Sequence, residues 1–177
     1  TLIQTGFTKL YKNIKLKDNS TIIVGYSGGP DSTVLLSILN SIKEYNLKII
    51  AAYYNHNLRD PEDLSNEIQI VRKYADSLDI KCIIGSAEQG MIQKDALNNK
   101  LSIEEAARNA RYAFFYKLKL ETAADYIATA HNLNDNTETM LMRFFQNSGT
   151  YGLSGIPEYQ NDIIRPLINI KREEIES

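Results

Sequence analysis

Short apolar runs alternate with longer amphipathic segments along most of this chain. Four runs have the β-branched, apolar character of buried strands, namely Thr21–Val24, Leu47–Tyr54, Ile80–Ile84 and Tyr126–Ala130. A shorter run, Ile163–Leu167, predicts a last strand. Strands that alternate with helices are typical of a parallel sheet covered by helices on both faces. We therefore predict an α/β fold with a doubly wound, mostly parallel five-stranded sheet.

The segments between these runs carry apolar residues at helical spacing. We predict helices over residues 2–16, from the turn after the first strand to residue 45, and over 60–78, 102–120 and 134–147, the last of them capped by Asn134 or Asp135. Residues 86–100 are polar and irregular, which predicts a loop. Residues 171–176 indicate the start of a further helix, so we expect the sequence to be a fragment of a longer protein, with residues 1–177 forming one domain.

The composition excludes several classes of protein. The 177 residues are 43% hydrophobic and 24% charged, as in ordinary soluble domains. No run approaches the roughly 20 apolar residues of a membrane span, and no signal pattern opens the chain, so we expect a cytoplasmic protein without membrane contact. The single cysteine, Cys82, excludes a disulfide framework or a Cys-x-x-Cys site, and its apolar neighbours predict a buried structural thiol. The net charge of −2 neither indicates nor excludes a nucleic-acid partner.

A glycine-rich stretch lies between the first predicted strand and the next helix. It reads Ser27-Gly28-Gly29-Pro30-Asp31-Ser32. Adjacent glycines permit positive φ and close approach to a ligand, and the free N–H groups of a helix N-terminus attract phosphate. A carboxylate there would repel phosphate unless a divalent cation lay between them, so we predict that Asp31 contacts Mg²⁺. The alternative is a plain glycine turn in which Ser27 or Asp31 caps the helix.

Three further groups of polar residues follow predicted strands or share a helix face. Asp135 and Glu138, just after His131, share a face and could bind Mg²⁺ or an ammonium group, or merely complement the helix dipole. Arg108 and Arg111 share a face and could reach a phosphate, unless Arg108 simply pairs with a glutamate one turn away. The second strand is followed by His56 and Arg59. We predict that they flank the edge of the site that binds adenine and phosphate, although His56 could equally be structural.

The glycine-rich stretch resembles the S-G-G-x-D-S signature of the PP-loop ATP pyrophosphatases, which cleave ATP between the α and β phosphates. Other segments resemble motifs of the N-terminal catalytic domain of the tRNA(Ile)-lysidine synthetase family. They are residues 55–59 (N-H-G-L-R in the family), 104–112 (E-x-x-A-R-x-x-R-Y), 130–139 (A-H-H-x-D-D-Q-x-E-T), 147–155 (G-S-G-x-x-G-L-x-G) and 164–167 (I-R-P-L). The resemblance covers nearly the whole chain, in the same order and spacing.

The chain departs from these motifs at four asparagines. Asn57 stands where the family has glycine, and Asn132 where it has a second histidine. Asn134 replaces the first acid of the acidic pair, and Asn136 replaces the following glutamine. One carboxylate of the motif is therefore absent, while His131 and the second acid remain.

The resemblance implies ATP and Mg²⁺ as cofactors and a two-step reaction. ATP would adenylate the wobble cytidine of a tRNA(Ile) with a CAU anticodon, and the ε-amine of free L-lysine would then displace AMP to form lysidine. By this resemblance Asp31 and Asp135 contact metal or lysine, Glu138 belongs to the catalytic group, Arg111 steadies phosphate, and His131 or a carboxylate takes the amine's proton. The expected nucleotide-binding residues are Ser27, Gly28, Gly29, Pro30, Asp31, Ser32, His56, Arg59 and Arg108.

Other functions remain open from the sequence. A tRNA 2-thiolation enzyme shares the loop but normally carries cysteines that this chain lacks, and an ammonia-using ligase lacks the I-R-P-L segment. A catalytically impaired nucleotide-binding paralogue is the third alternative, because of the acid lost at Asn134. The near-neutral charge predicts that tRNA is gripped largely by C-terminal domains outside this sequence, and a homodimer is left open.

Overall fold

A single mixed sheet forms the centre of the molecule. The computed structural model describes residues 16–58, 61–145 and 155–176. Within them the strands are β1 (Thr21–Gly25), β2 (Lys48–Asn55), β3 (Lys81–Ser86), β4 (Tyr126–Ala128), β5 (Tyr159–Gln160) and β6 (Ile163–Ile164). Their order in the sheet is β3-β2-β1-β4-β6-β5, and every neighbouring pair is parallel except β5 with β6.

Helices connect the parallel strands. They are α1 (Pro30–Ser41), α2 (Pro61–Ser77), α3 (Met91–Asn99), α4 (Ile103–Glu121), α5 (Leu133–Phe145) and α6 (Arg172–Glu176). The first residues of α1 and α2 are prolines, whose missing N–H is not needed at that position. Ser102 and Glu105 form the reciprocal capping box that opens α4. Among the described residues, no helix is long and apolar enough to cross a bilayer.

The two faces of the sheet bury separate parts of the core, which confirms the doubly wound α/β prediction. On β1, Ile22 and Val24 face a cluster built with α1 and α2, including Leu35 and Leu36. The intervening Ile23 faces a second cluster that includes residues of α4 and β4, among them Phe115, Leu118 and Ile127. This alternation along β1 is what a strand buried on both faces requires.

The predicted five strands are six in the structure. The missed strand is β5, which forms a two-residue hairpin with β6. Both turn residues, Asn161 and Asp162, have positive φ, at 50° and 64°, which matches the twist of a tight antiparallel hairpin. Two-residue strands are too short to show a period, so the pattern of apolar residues could not reveal this one.

The loop predicted over residues 86–100 is wrong in its centre, where α3 lies. Its buried residues, Ile92 and Ala96, pack with Ala106 of α4. A helix this short is stabilised by packing rather than by propensity, and two buried residues give too weak a period to read. The helix expected to reach residue 45 ends at Ser41. The helix predicted over 2–16, and the end of the one predicted to 147, fall on residues outside the described ranges, while the predicted start of a helix near residue 171 is confirmed.

The strand order places a crevice between β1 and β4. The chain leaves β1 toward β2 and β3, then returns to the other side of β1 at β4. The connections that leave β1 and β4 therefore run in opposite directions along the sheet. The space between them is the usual position of a ligand in open α/β sheets. Both of the predicted polar clusters, the glycine-rich stretch and residues 131–138, follow these two strands.

Substitution of Gly85 tests the packing of α4 on the sheet. A Cβ at this position of β3 would lie 2.5 Å from Cε2 of Phe114, whose ring packs against Tyr54 with centroids 5.3 Å apart. We expect Gly85→Ala to lower the free energy of unfolding by about 1–3 kcal/mol through overpacking, measured by urea denaturation.

Gly90→Ala is the matched control, because its Cβ would meet nothing within 4 Å while its φ of 78° still carries a backbone cost. We expect that control to lose about 1 kcal/mol. Equal stability of Gly85→Ala and the unmodified protein would contradict the packing described.

Candidate active site

The glycine-rich loop turns sharply from β1 into α1. Gly28 has a φ of 77°, and a Cβ there would also lie 3.1 Å from Cγ2 of Val71. Gly29 is the N-cap of α1 and has an ordinary φ of −76°, so only the first glycine needs its conformational freedom. No side chain caps the helix, so the alternative in which Ser27 or Asp31 serves as the cap is wrong.

Hydroxyl groups hold the loop from within. Ser32 is buried, and its Oγ accepts a hydrogen bond from the Ser27 N–H at 3.2 Å and donates one to the Gly29 carbonyl at 3.0 Å. The Thr33 hydroxyl also donates to the Gly29 carbonyl, at 2.9 Å. The loop therefore keeps its shape without a ligand, and the N–H groups in the first turn of α1 are left for an anion.

The loop forms one wall of a cavity of about 970 Å³. Most of the residues predicted for the site line it: Ser27, Gly28, Gly29, Pro30, Asp31, Ser32, His56, Arg111, His131 and Asp135. Arg108 and Glu138 are exposed and are not among the lining residues. Arg59 lies outside the described residues.

Two carboxylates and one amide form the acidic side of this cavity. Asn132, which has no exposed surface, donates from Nδ2 to Oδ2 of Asp31 at 2.9 Å. Its backbone N–H donates to Oδ2 of Asp135 at 3.0 Å, and its Oδ1 accepts from the Asp135 N–H at 3.0 Å. Asn132, and not the predicted Asn134 or Asp135, is thus the capping residue of α5, and it also joins the loops after β1 and β4.

Arg172, the first residue of α6, completes this acidic side. Its Nη2 donates to Oδ1 of Asp135 at 3.0 Å, and its Nε lies 3.6 Å from Oδ2 of Asp31. Its backbone N–H donates to Oδ1 of Asn134 at 3.2 Å. Arg172 is half-exposed and is not among the residues that line the cavity.

The arrangement fits a divalent cation at Asp31. Its Oδ1 is buried and has no hydrogen-bond partner among the described residues. Mg²⁺ is commonly held by one or two carboxylates together with phosphate oxygens and water, which matches a lone carboxylate oxygen beside a phosphate loop. Both oxygens of Asp135 already accept hydrogen bonds, from Asn132 and Arg172. Within the described residues no group of three or more metal-ligating side chains occurs.

Three arginine side chains form a basic cluster on and beside α4. The guanidinium groups of Arg108 and Arg111 lie over the ring of Tyr112, at 5.6 and 5.9 Å from its centroid. Arg165 is buried and donates from Nη1 to the Pro157 carbonyl at 2.8 Å. No carboxylate of the described residues forms an ion pair with any of the three, so the pairing of Arg108 with a glutamate is not observed. Burial lowers the pKa of Arg111 and of Arg165, and such unpaired cations are suited to an anionic ligand.

His131 lies near both the acidic residues and the arginines, and its imidazole ring is held in the neutral form. Burial, followed by the charges of Arg165 and Arg108, lowers its pKa to about 4, while Asp135 acts in the opposite direction. Its Nδ1 is 2.9 Å from Oγ1 of Thr129, which orients the ring. A ring with so low a pKa is a poor proton acceptor until an anion screens the neighbouring guanidinium groups.

Two aromatic rings, those of Tyr54 and His56, are also part of the cavity lining. Tyr54 and His56 meet edge to face with centroids 5.2 Å apart, and Tyr54 also packs on Phe114. The turn after β2 is closed by a hydrogen bond of 2.6 Å from the Asn57 N–H to Oδ1 of Asn55. Flat rings beside a phosphate loop are suited to a nucleobase.

Each of the four asparagines that depart from the family motifs has a structural role here. Asn57 takes a φ of 54°, a conformation that asparagine tolerates better than most residues. Asn132 joins the two carboxylates, Asn134 accepts the Arg172 N–H, and Asn136 accepts the Ile156 N–H at 2.6 Å. The residue at the position of the missing acid therefore contacts the start of α6. The amide oxygen of Asn134 makes this contact as a carboxylate oxygen would.

Three contributors to the site were missed from the sequence. The sequence predicts no role in the site for Tyr112, Arg165 or Arg172, which occur only within motifs or at the start of a helix. The two arginines come from the C-terminal part of the chain, and no local pattern shows that it returns to β1 and β4. The order of the strands, which places β6 beside β4, is the signal that could have found Arg165.

Comparison with known proteins agrees with this geometry. The family model of the PP-loop domain matches residues 1–177. The chain is 38% identical over 177 residues to the tRNA(Ile)-lysidine synthase of Thermosipho africanus, and 40% and 41% identical over 177 residues to those of Clostridium acetobutylicum and Clostridium tetani. These matches cover 99% of this chain but only 40%, 38% and 37% of the three relatives. The chain thus spans about two fifths of the length of these curated relatives.

Solved structures share the fold. The U34-tRNA thiolase NcsA from Methanococcus maripaludis superposes with a TM-score of 0.76 at 21% identity, over 98% of this chain and 60% of that one. An NH3-dependent NAD synthetase from Campylobacter jejuni superposes with a TM-score of 0.63 at 13% identity, over 98% and 68%. At these identities the likeness concerns the fold alone.

The low pKa of His131 predicts a pH dependence of stability. The ring titrates near pH 4 in the fold and near 6.5 when unfolded, so the unfolded chain binds the proton first as the pH falls. The free energy of unfolding should therefore decrease between about pH 6.5 and pH 4, by on the order of 2–3 kcal/mol from this group. We expect His131→Gln to lose less stability than the unmodified protein between pH 7 and pH 4.5, in urea denaturation. Parallel losses in the two proteins would contradict a neutral, buried ring.

Proposed function

Because the chain belongs to the PP-loop family, we propose that it is the catalytic domain of an ATP-dependent tRNA(Ile)-lysidine synthetase. In this reaction O2 of the wobble cytosine attacks the α-phosphorus of ATP, and pyrophosphate leaves. The ε-amine of L-lysine then attacks C2 of the ring, loses its proton, and displaces AMP. The observation that carries the proposal is one cavity lined by a phosphate loop, by the carboxylates of Asp31 and Asp135, and by Arg111, which forms no ion pair with a carboxylate of the described residues.

The phosphate loop and the arginines would bind the two ends of the triphosphate. The N–H groups at the start of α1 suit the pyrophosphate that leaves, together with the hydroxyls of Ser27 and Ser32. Arg111 lines the same cavity and suits the α-phosphate, where negative charge develops in the adenylation step. Arg108 is proposed to contribute charge at the rim, Arg59 to bind the nucleotide, and His56 to lie beside the adenine.

A divalent cation is part of this proposal. Asp31 would hold Mg²⁺, whose chemistry would be to offset the negative charge of the phosphates. The free Oδ1 of Asp31 supports this assignment. The second predicted metal contact, Asp135, is better matched to the positively charged substrate, because both its oxygens are oriented by protein donors. Glu138, one turn further along α5, is proposed to assist at the rim, where it is exposed.

His131 is proposed to become the proton acceptor only in the second step. Its pKa is depressed by burial and by Arg165 and Arg108. The phosphate of an adenylated cytidine would screen those arginines and raise the pKa of His131 toward the range useful in general base catalysis. The same ring, neutral beforehand, does not repel the ammonium form of lysine.

The names of the curated relatives support tRNA(Ile) as the nucleic-acid partner. A reaction on tRNA with ATP and free lysine is one of the cytoplasm, which is where we propose that the protein acts. A homodimer stays a prediction to be checked from the mass in solution.

A 2-thiolation function fits less well. Cys82, the one cysteine of the sequence, belongs to β3 and does not line the cavity. Burial raises the pKa of its thiol, which disfavours the thiolate that sulfur transfer needs. The impaired paralogue also fits less well, because the missing acid corresponds to Asn134, whose oxygen contacts the backbone of Arg172 and lines no part of the cavity.

Mass spectrometry of tRNA tests the reaction. After incubation of the full-length protein with ATP, Mg²⁺ and lysine, we expect one lysine adduct on the CAU anticodon of tRNA(Ile). Asp31→Ala should slow its formation by about 100-fold or more, since it removes a charge contact to the reacting phosphates. Asp76→Ala, on the exposed face of α2, is the matched control and should react normally. Full modification by Asp31→Ala would refute the loop assignment, and no adduct with the unmodified protein would refute the function.

Restoring the acid tests the impaired-paralogue alternative. Asn134→Asp keeps the oxygen that accepts the Arg172 N–H, so we expect lysidine formation within about twofold of the unmodified rate, as for other exposed changes. Asn134→Ala loses that acceptor and should cost about 1 kcal/mol of stability, measured by thermal unfolding. A large gain in rate with Asn134→Asp would instead show that the missing acid limits catalysis.

A further inference from the structure

We propose that Arg172 is a positioning residue that orients Asp31 for the bound nucleotide. The inference deepens the proposed function, on which it rests, by adding a residue that touches neither ATP nor lysine. Arg172 belongs to α6, which is not part of the phosphate-loop motif.

The geometry places one guanidinium on both carboxylates. Nη2 of Arg172 is 3.0 Å from Oδ1 of Asp135, and Nε is 3.6 Å from Oδ2 of Asp31. Asn132 donates to the same Oδ2 of Asp31 at 2.9 Å. One hydrogen bond from Asn132 and one ion pair with Arg172 on the same oxygen restrain the carboxylate plane of Asp31, and its other oxygen, Oδ1, is the one left buried and without a described partner.

The charges make this clamp necessary. Two carboxylates held by one amide would repel each other, and the amide donates only one hydrogen bond to Asp31. Arg172 supplies a positive charge that offsets this repulsion through an ion pair with each carboxylate, although it does not line the cavity. The acidic side then carries one net negative charge toward the cavity rather than two, which matters next to a polyanionic nucleotide.

The guanidinium is not needed to hold its own helix. Ile175 of α6 is 5% exposed and belongs to the main core cluster, and Asn134 receives the Arg172 backbone N–H whatever the side chain. A variant that changes only the side chain should therefore keep α6 in place. This separates a role in orienting Asp31 from a role in folding.

A double-mutant cycle in nucleotide affinity tests the proposal. In the full-length protein, binding of ATP with Mg²⁺ is measured by titration calorimetry for Arg172→Gln, Asp31→Asn and the double variant. We expect Arg172→Gln to weaken binding by about fivefold or more, with less than twofold further loss in the Asp31→Asn background, because the effect acts through Asp31. Arg72→Gln, an exposed arginine of α2, is the matched control and should bind as the unmodified protein does.

Two results would overturn the proposal. One is unchanged affinity in a folded Arg172→Gln, with thermal unfolding as the measure of folding. The other is an equal loss in both backgrounds, which indicates a charge effect at a distance rather than orientation of Asp31. If Arg172→Gln does not fold, Arg172→Lys carries the same cycle with a single ammonium in place of the fork. ATP binding is read without tRNA or lysine, so the result stands whether or not lysidine is formed.

Discussion

Like-charge repulsion between Asp31 and Asp135 is the constraint around which this site is built. The two residues lie in the first turns of α1 and α5, the helices that follow β1 and β4, and both line the cavity. They stay together because Asn132 bonds to both and Arg172 supplies a shared positive charge. The clamp draws on α1, α5 and α6, so the site depends on packing between parts of the chain that are far apart in sequence.

The arginines near His131 lack such a counter-charge among the described residues. Arg111 and Arg165 are desolvated without a described carboxylate partner, and a neutral His131 lies among their charges. Burial of a charge without a counter-ion costs free energy, which a bound phosphate would recover. Within the described residues the two carboxylates at the cavity are thus offset by Arg172, whereas Arg111 and Arg165 are left for an anionic ligand.

The sequence allowed the fold class and most of the cavity wall to be predicted, for a physical reason. Buried parallel strands such as β1 are continuous β-branched runs, and residues that follow them must meet at one sheet edge, so Asp31 and Asp135 could be paired without a structure. The helix α3 escaped because two buried residues leave no clear period. Arg172 escaped because its role comes from tertiary contact, and the wrong assignment of the α5 cap to Asn134 or Asp135 hid the part played by Asn132.

The amide at position 132 also determines how the site responds to acid. The family motif that this segment resembles has histidine there, and a histidine in such a clamp would gain or lose a proton near neutrality. An asparagine has no proton to exchange in this range, and its two ends keep their donor and acceptor roles. The two carboxylates are therefore joined by a group that does not titrate, and the histidine left in this segment, His131, contacts Thr129 instead of the clamp.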